Sequence, residues 1–293
     1  MLVRDAPEAE SDGGSLEVLM VRRNLASDFV GGVFVFPGGA VDLLDGGPEA
    51  EAISFGRSDA EASTLLGVPS GGLAYWVAAL RETFEEAGLL LAERPGGPTL
   101  LAGNPEEEAR FKAARAAVNA GTRRFLDLCR DEELRLSVGD VHDVAHWITP
   151  EGPPRRYDTR FFVAAAPPGQ KAAHYAGEMM AEEWISPQRA LRGHRAGRFE
   201  LISPTIRNLQ AISRFATSGE LLVAAEVASR AVPTIEPRLV ADGNGVRIVL
   251  PGDDAYDNNL ADPETSSEQF NEAIRAASLA ANSDDGRALG PDR

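Results

Sequence analysis

The stretch LRETFEEAGLL, residues 80–90, places one arginine and three glutamates within six positions ahead of a glycine. On an α-helix, at about 100° per residue, Glu82, Glu85 and Glu86 (the glutamate strip) fall within an arc of about 100°. Adjacent like charges destabilise one another unless a cation lies between them. Oxygen ligands of this kind suit Mg²⁺ or Mn²⁺ better than Zn²⁺. The spacing therefore indicates a site for a hard divalent cation. The alternative that it leaves open is a solvated helix face on which Arg81 pairs with Glu85.

A glycine pair upstream could bring the backbone close to this strip. The stretch FPGGAVDLLD, residues 36–45 (the glycine loop), contains two adjacent glycines and ends on an acid. Glycine lets the backbone approach a ligand or a metal closely because it has no Cβ. A spacer of 35 residues, 46–80, separates this loop from the arginine of the helix. Because the entropy of loop closure grows slowly with length, we expect the spacer to loop out beside the site and to leave Gly39 and Glu82 close in space.

The two stretches together resemble the signature of the Nudix hydrolases. That signature is a glycine, five residues, an acid, seven residues, and then R-E-apolar-x-E-E-x-G-apolar. Gly39 is followed by five residues and Asp45, and residues 81–89 fill the second half in order. The sequence departs from the signature at Asp45, where glutamate is usual, at Thr83, where an apolar residue is usual, and in its spacer of 35 residues. The run from about 15 to 220 is similar to a branch of the family with an interrupted Nudix box, which includes a peroxisomal coenzyme A diphosphatase.

The resemblance implies a fold, a reaction and a cofactor. The implied fold is α+β, a Nudix-type α/β/α sandwich with a mixed β-sheet and insertions within and after the Nudix box. The implied reaction is hydrolysis of a diphosphate linked to a nucleoside, in which water attacks phosphorus and Mg²⁺ or Mn²⁺ stabilises the developing charge. Carried over by position, the metal ligands are the carboxylates of the glutamate strip and a carbonyl of Gly38 or Gly39. Arg81 would orient these carboxylates by charge-assisted hydrogen bonds, or form a structural salt bridge.

A general base is expected from a later loop. Nudix enzymes often take a further acid from such a loop as base or as an extra metal ligand, and Glu178 is the candidate here. Its alternative is an ordinary exposed loop glutamate, and Glu182 and Glu183 are weaker candidates. The expected catalytic residues are thus Glu82, Arg81 and Glu178.

Substrate phosphates need local cations because the chain is strongly acidic. Its formal net charge is −16, and a surface of that sign repels nucleic acid backbones and anionic membranes. The candidates for binding phosphate are Arg22, Arg23, Arg156 and Arg160, and the alternative for each is a surface salt bridge. The 4 histidines show no ligand spacing and are assigned no catalytic role.

The composition favours the cytoplasm. The only cysteine, Cys129, excludes an intrachain disulfide and fits a reducing compartment. The first residues lack the apolar core of a signal peptide, and no apolar run approaches the length of a membrane span. We therefore expect a small-molecule nucleotide substrate as the partner, no nucleic acid and no membrane, and we leave a homodimer open.

The elements that must position these residues follow from periodicity and turn signals. Apolar residues at i, i+3, i+4 and i+7 predict a helix over 73–92, with Gly88 near its end. The spacer predicts an insertion at about 46–72 with one or two short helices, and a second insertion follows at about 93–140. A Nudix hydrolase domain is expected over 1–231, and a hairpin turned at Asn244-Gly245 with a partly disordered tail over 232–293. Strands are expected at 15–23, 145–150, 155–166 and 182–186, and a short β-rich run broken by Pro37-Gly38-Gly39 is expected at 33–42. Helices are expected at 105–120, 122–133, 186–197 and 203–219.

The sequence does not decide the substrate. The branch favours coenzyme A or acyl-CoA, and GVFVFPGG, residues 32–39, matches part of the pattern associated with CoA. Asn24 and Asp28 stand where that pattern has a serine and an arginine, so NADH, ADP-ribose and related dinucleotides stay open. A further alternative is a Nudix-fold regulator that binds a nucleotide without cleaving it. Such proteins usually lose box carboxylates, and all three helix glutamates are present here.

Overall fold

The computed structural model describes residues 1–7, 15–23, 32–96, 100, 103–153, 155–173, 179–241, 246–256, 273 and 276. Within these ranges the strands are β1 Leu2–Asp5, β2 Leu16–Arg23, β3 Phe34–Val35, β4 Ala92–Glu93, β5 Arg135–Leu136, β6 His142–Ile148, β7 Asp158–Ala165, β8 Met179–Ile185, β9 Thr234–Ile235, β10 Arg238–Ala241 and β11 Val246–Val249. The helices are α1 Pro48–Ile53, α2 Asp59–Leu66, α3 Leu73–Ala87, α4 Pro105–Asn119, α5 Phe125–Asp131, α6 Pro187–Arg195, α7 Ser203–Ile212 and α8 Ser218–Ala228. Short 3₁₀ turns cover Leu43–Asp45 and Val138–Asp140.

A mixed sheet of seven strands forms the centre of the fold. Its strand order is β3-β2-β1-β7-β6-β9, and β8 pairs with β2. Strand β1 runs antiparallel to β2 and parallel to β7. Strand β6 runs antiparallel to β7 and parallel to β9, so a strand from the C-terminal segment extends the main sheet. The predicted α+β fold with a mixed sheet is confirmed.

Helices cover both faces of this sheet because the side chains of its central strands alternate. Leu19 of β2 and Phe162 of β7 pack into the core beneath α3. Their neighbours Val18, Met20 and Val163 point to the opposite face and pack against α6, α7 and α8. Successive side chains of a strand point to opposite faces, so both faces of these strands are apolar and need a helical cover. The result is an α/β/α sandwich.

The central helix α3 carries the glutamate strip and ends five residues before the predicted end at 92. Its apolar stripe buries Trp76 against Phe162 of β7 and Phe84 against Phe125 of α5. The indole Nε1 of Trp76 donates to the carbonyl of Val141 at 2.8 Å. The helix stops at Gly88, which adopts the left-handed conformation with φ of 70°. Glycine tolerates this conformation at little cost, so the chain can turn sharply away from the strip.

The spacer inside the Nudix box folds against α3. It contains α1 and α2, which confirms the predicted short helices. Ala62 and Leu66 of α2 are buried in the same core as α3. The carboxylate of Asp59 accepts hydrogen bonds from the backbone N–H groups of Gly71 and Leu73 at 3.0 Å each, which fixes the start of α3. The interruption of the box is therefore a packed layer on the helix that it precedes.

Several predicted elements are present with different ends. Strand β8 begins at Met179, three residues ahead of the predicted start at 182, because its first residues pair with the end of β2. The β-rich run predicted at 33–42 forms the two-residue strand β3, which ends ahead of the predicted break at Pro37-Gly38-Gly39. Helix α8 is not predicted by the periodicity of the sequence.

The C-terminal segment contains the predicted hairpin as β10 and β11. Its predicted turn at Asn244-Gly245 and nearly all of the tail after 256 lie outside the described residues. The division of the chain into domains at 231 stays a prediction. None of the described helices is long and apolar enough to cross a membrane.

Candidate active site

Arg81 lies at the centre of a network between the glycine loop and α3. Its Nε and Nη2 donate to the two carboxylate oxygens of Asp45 at 2.7 and 2.9 Å. Its Nη1 donates to Glu82 at 2.8 Å and to Glu85 at 3.2 Å. Nη2 also donates to the carbonyl of Ala40 at 2.8 Å. A guanidinium has five N–H groups, so every donor of this side chain has a partner and Arg81 joins the loop to the strip.

Asp45 is the buried anchor of this network. The residue is 2% exposed and forms a capping box with Asp42, whose backbone N–H donates to Asp45 Oδ2 at 2.8 Å. A buried carboxylate is costly unless a cation and hydrogen bonds satisfy it, and Arg81 supplies both. The acid of the first half of the Nudix box thus holds the arginine of the second half across 36 positions of sequence.

The glycine loop and the strip touch at Gly39. A Cβ placed on Gly39 would lie 2.4 Å from Oε1 of Glu82, a distance that no side chain could tolerate unless the carboxylate moved. Beside it, the backbone N–H of Gly38 donates to Oε2 of Glu86 at 2.8 Å. A side chain at position 39 would therefore push the carboxylate of Glu82 away from its hydrogen bond with Arg81. The prediction that the spacer leaves Gly39 and Glu82 close in space is confirmed.

Burial and charge act in opposite directions on the ionisable groups of this network. Burial raises the pKa of the Glu82 carboxyl, Arg81 lowers it, and the charges of Glu85 and Asp45 raise it further, so the pKa is above its ordinary value. Burial alone would lower the pKa of Arg81, but its hydrogen bonds to Asp45 and the surrounding carboxylates raise it above its ordinary value. Arg81 therefore stays charged, and a further cation beside Glu82 would favour the ionised form of that carboxyl.

The glutamate strip offers carboxylate oxygens, which are ligands for a hard cation. In this structure the carboxylates of the strip bind Arg81 and the N–H of Gly38, and no three acidic, histidine or cysteine side chains among the described residues are grouped around one point. The carboxylates of Glu82 and Glu85 share Arg81, and their side chains are 13% and 17% exposed. All of the side-chain donors are oxygens, and they lie against the backbone of the glycine loop. These oxygen atoms are therefore ligands of the kind that Mg²⁺ and Mn²⁺ prefer.

A cavity of about 680 Å³ opens beside the strip. Glu82 and the glycine loop line one part of it, and α3 also contributes Tyr75 and Thr83. Pro237 and Ile248 of the C-terminal segment line another part. Small-molecule sites have volumes of about 300–1,000 Å³, mostly apolar walls and a few polar groups, and this cavity has all three properties. It is the natural place for a ligand whose polar group reaches Glu82.

Arg160, a predicted phosphate-binding residue, lines this cavity but is held in a buried ion pair. Its Nη1 donates to Asp143 at 2.8 Å and its Nη2 to the carbonyl of Leu66 at 2.8 Å. The side chains of Arg160 and Asp143 are 11% and 1% exposed. Burial raises the pKa of Asp143, and the arginine opposes this shift. The geometry thus gives Arg160 a structural partner at the edge of the cavity.

Arg156 lines the same cavity in a more accessible position. Its Nε donates to the carbonyl of Thr149 at 2.9 Å, and its guanidinium pairs with Glu236 of the C-terminal segment. The side chain of Arg156 is 39% exposed. A surface ion pair of this kind is weak, so an anionic ligand can compete with the glutamate for the arginine.

Of the other predicted site residues, Arg22 is not among those that line this cavity, and the side chain of Arg23 lies outside the described part of the chain. Arg22 donates from Nε to the carbonyl of Gly32 at 3.1 Å, and its guanidinium lies 5.9 Å from the ring centroid of Phe34. Arg23 is the last residue of β2. Glu178, the predicted general base, lies outside the described residues.

Two side chains that the sequence did not single out hold the end of α3. Arg115 of α4 donates from Nε to the carbonyl of Glu85 at 2.9 Å and from Nη1 to the carbonyl of Ala173 at 2.7 Å. Asn119 donates from Nδ2 to the same carbonyl of Glu85 at 3.2 Å. The last carbonyls of a helix have no partner within it, and a cation at this end is favourable. The second insertion therefore positions the last turn of the helix that carries the glutamate strip.

Comparisons with known proteins agree with this geometry. Residues 44–212 match the family model described as the NUDT19 Nudix domain. The chain is 25% identical over 302 residues to the acyl-coenzyme A diphosphatase NUDT19 of Homo sapiens, covering 92% of this chain and 80% of that protein. It is 24% identical over 295 residues to the protein of the same name from Xenopus laevis, covering 90% of this chain and 76% of the relative.

A solved structure supports the same assignment. The crystal structure of a NUDIX hydrolase from Alicyclobacillus acidocaldarius is similar, with a TM-score of 0.57 and 26% sequence identity over 79% of this chain and 93% of that one. The Nudix-type fold implied by the two halves of the box is thereby confirmed. Because the family model spans more than half of the 293 residues, the chain belongs to the NUDT19 Nudix domain family of the Nudix hydrolases.

Proposed function

We propose that this protein is a divalent-metal-dependent pyrophosphohydrolase that cleaves a nucleoside-diphosphate-linked substrate, with coenzyme A or acyl-CoA as the substrate class. The observation that carries the proposal is the contact between Glu82 and Gly39, because it joins the two halves of the interrupted Nudix box. The names of two relatives, both acyl-coenzyme A diphosphatases, support the substrate class.

Different residues would bind the metal, position its ligands and accept the proton of water. When bound, Mg²⁺ or Mn²⁺ supplies positive charge to the diphosphate and lowers the pKa of water. The glutamate strip and the carbonyl of Gly39 would hold the cation, and Arg81 would keep the carboxylates and the glycine loop together. The oxygen of water forms a bond to one phosphorus while the bridging P–O bond breaks, and Glu178 is the proposed acceptor of the water proton.

The substrate phosphates would be bound by cations at the cavity. Among Arg22, Arg23, Arg156 and Arg160, we favour Arg156, because it lines the cavity and its side chain is 39% exposed. Binding of a phosphate there would replace its pairing with Glu236. We keep the other three arginines as weaker candidates for the same role.

A substrate panel tests the proposal. The full-length protein is incubated with CoA, acyl-CoA, NADH, NAD, ADP-ribose and diadenosine polyphosphates, each with Mg²⁺, with Mn²⁺ and with EDTA. We expect metal-dependent release of two phosphate-bearing products, with the highest kcat/KM for CoA or an acyl-CoA. A higher kcat/KM for NADH or ADP-ribose would show that the substrate class is NADH, ADP-ribose and related dinucleotides, and not CoA or acyl-CoA. Binding of a nucleotide without any metal-dependent formation of products would indicate a non-catalytic regulator and would contradict the proposed hydrolase activity.

A further inference from the structure

We propose that Pro237 and Ile248, here called the C-terminal wall, contact the acyl chain of the substrate and set the chain length that the cavity accepts. The inference rests on the proposed function, because it requires an acyl-CoA substrate. It assigns a specificity-determining surface that is separate from the glutamate strip and belongs to a different part of the chain.

The segment that carries the C-terminal wall is anchored in the main sheet. Strand β9 pairs in parallel with β6 and places Thr234 opposite His146. Nδ1 of His146 lies 2.8 Å from Oγ1 of Thr234, and Nε2 lies 2.6 Å from Oδ1 of Asp158. The histidine is 6% exposed, so both ring nitrogens are satisfied inside the protein. This hydrogen-bonded chain ties the C-terminal segment to two strands of the sheet.

Contacts on either side of Pro237 hold the wall in position. The carbonyl of Glu236 accepts a hydrogen bond from the hydroxyl of Tyr256 at 2.7 Å, and this contact does not depend on Arg156. On the other side, Nη1 of Arg238 donates to the carbonyl of Tyr256 at 2.9 Å, and its guanidinium lies 4.2 Å from the centroid of the tyrosine ring. The backbone around Pro237 is therefore fixed from both directions.

Ile248 reaches the cavity from the second strand of the hairpin. It lies opposite Leu239 in the pairing of β10 and β11. Leu239 is 5% exposed and packs with Ile202, which immediately precedes α7. Ile248 is partly buried, packs against Leu239 and also lines the cavity. The hairpin thus presents a supported hydrocarbon surface to the ligand.

An acyl chain is the part of an acyl-CoA that fits this surface. Pro237 and Ile248 offer only hydrocarbon, whereas a base edge needs hydrogen-bonding partners and a diphosphate needs positive charge. Each methylene of a chain that leaves water against such a surface improves binding by up to about fourfold. The wall also lies beyond residues 44–212, which match the family model, and so outside the segment that carries the glutamate strip.

The test measures kcat/KM against chain length for CoA and for saturated acyl-CoAs from acetyl-CoA to decanoyl-CoA. For the wild-type protein, we expect kcat/KM to rise with chain length while added methylenes pack in the cavity, and to level off once the wall is covered and further methylenes stay in water. Ile248→Phe should move that levelling-off to shorter chains and lower kcat/KM for the longest chains by about tenfold, while CoA and acetyl-CoA stay within about twofold. Ile248→Ala should move it to longer chains.

The matched control is Arg247→Ala, on the same strand. Arg247 is exposed and alternates with Ile248, so its loss should leave the profile unchanged. Calorimetry in EDTA measures the binding of octanoyl-CoA and of CoA without turnover. The ratio of the two affinities should fall in Ile248→Phe relative to the wild-type protein. Opposite shifts in the Phe and Ala variants keep the test informative if one of them unfolds.

The two proposals fail in different ways. If the wild-type protein hydrolyses neither CoA nor any acyl-CoA, the proposed function is wrong, and so is the proposal that the C-terminal wall sets the chain length. If CoA and acyl-CoAs are hydrolysed but both Ile248 variants change every substrate by the same factor, or leave the levelling-off at the same chain length, the wall is wrong and the proposed function stands.

Discussion

Glu85 is the residue of the glutamate strip where loss of charge can be separated from loss of structure. Its side chain is 17% exposed, and its carboxylate accepts one hydrogen bond from Arg81 at 3.2 Å. Glu85→Gln keeps the shape and an acceptor oxygen but removes the negative charge that a cation needs. We expect turnover to fall by about 10² or more, while the free energy of unfolding changes by less than about 1 kcal/mol.

Metal-dependent turnover and urea unfolding measure the two effects of Glu85→Gln. The control is Glu106→Gln in the first turn of α4, an exposed glutamate away from the cavity, which should leave turnover unchanged. Near wild-type turnover of the Glu85 variant with Mg²⁺ would show that the strip does not hold the metal.

The pair of Arg81 and Asp45 should behave as a unit. Arg81→Lys keeps the charge but cannot reproduce two parallel hydrogen bonds to a carboxylate that is 2% exposed. We expect this substitution to lower the free energy of unfolding by about 2–4 kcal/mol. Asp45→Asn should cost less alone, and the double variant should show a coupling of about 1–3 kcal/mol in urea unfolding. Additive effects would mean that the two side chains do not depend on each other.

The sequence predicts the box residues and the contacts of Arg81 with the glutamates and of Gly39 with Glu82, but not the contact of Arg81 with Asp45. Spacing alone brought Glu82, Glu85 and Glu86 onto one helix face, because helical geometry is local. The hydrogen bonds from Arg81 to Asp45 cross 36 positions, and no periodicity carries that information. The buried pair of Arg160 with Asp143 is also not predictable from the sequence, because the position of a charged residue in a strand does not tell which face of the sheet it occupies.

At the scale of the element, the end of α3 depends on a contact from the second insertion. Gly88 and Gly67 both end a helix in the left-handed conformation, with φ of 70° and 69°. A Cβ on Gly88 would lie 2.7 Å from Nη1 of Arg115, whereas a Cβ on Gly67 would meet nothing within 4 Å. Arg115 is 8% exposed and bound to two carbonyls, so it cannot move away freely.

The two glycines therefore form a matched pair for substitution by alanine. Gly67→Ala should lower the free energy of unfolding by about 1 kcal/mol, the strain of a side chain in the left-handed region. Gly88→Ala should cost about 1–3 kcal/mol more, because it also displaces a buried arginine from its carbonyls. Urea unfolding measures both values. Equal costs would show that Arg115 does not restrain the end of α3.

The predictability of each element follows from how its apolar residues are arranged. Helix α3 is predictable because its buried residues follow one stripe. Helix α8 is apolar nearly all round, with Leu221 and Ala225 buried but Val223 and Val227 69% and 65% exposed, so no face is distinguished by the sequence. The short strand β9 consists of two residues whose place in the sheet depends on pairing with β6, which local pattern cannot show.

At the scale of the whole molecule, charge should oppose the encounter with an anionic substrate. The formal net charge is −16, and CoA also carries several negative charges. The screening length falls from about 30 Å at 0.01 M salt to about 8 Å at 0.15 M, so repulsion weakens as salt is added. We expect kcat/KM for CoA to rise several-fold over this range at saturating metal, with kcat nearly constant. ADP-ribose carries fewer charges and should show a smaller rise, which separates screening from a general effect of salt on the enzyme. A fall in kcat/KM with salt would mean that cations at the cavity, Arg156 first among them, outweigh the charge of the whole molecule.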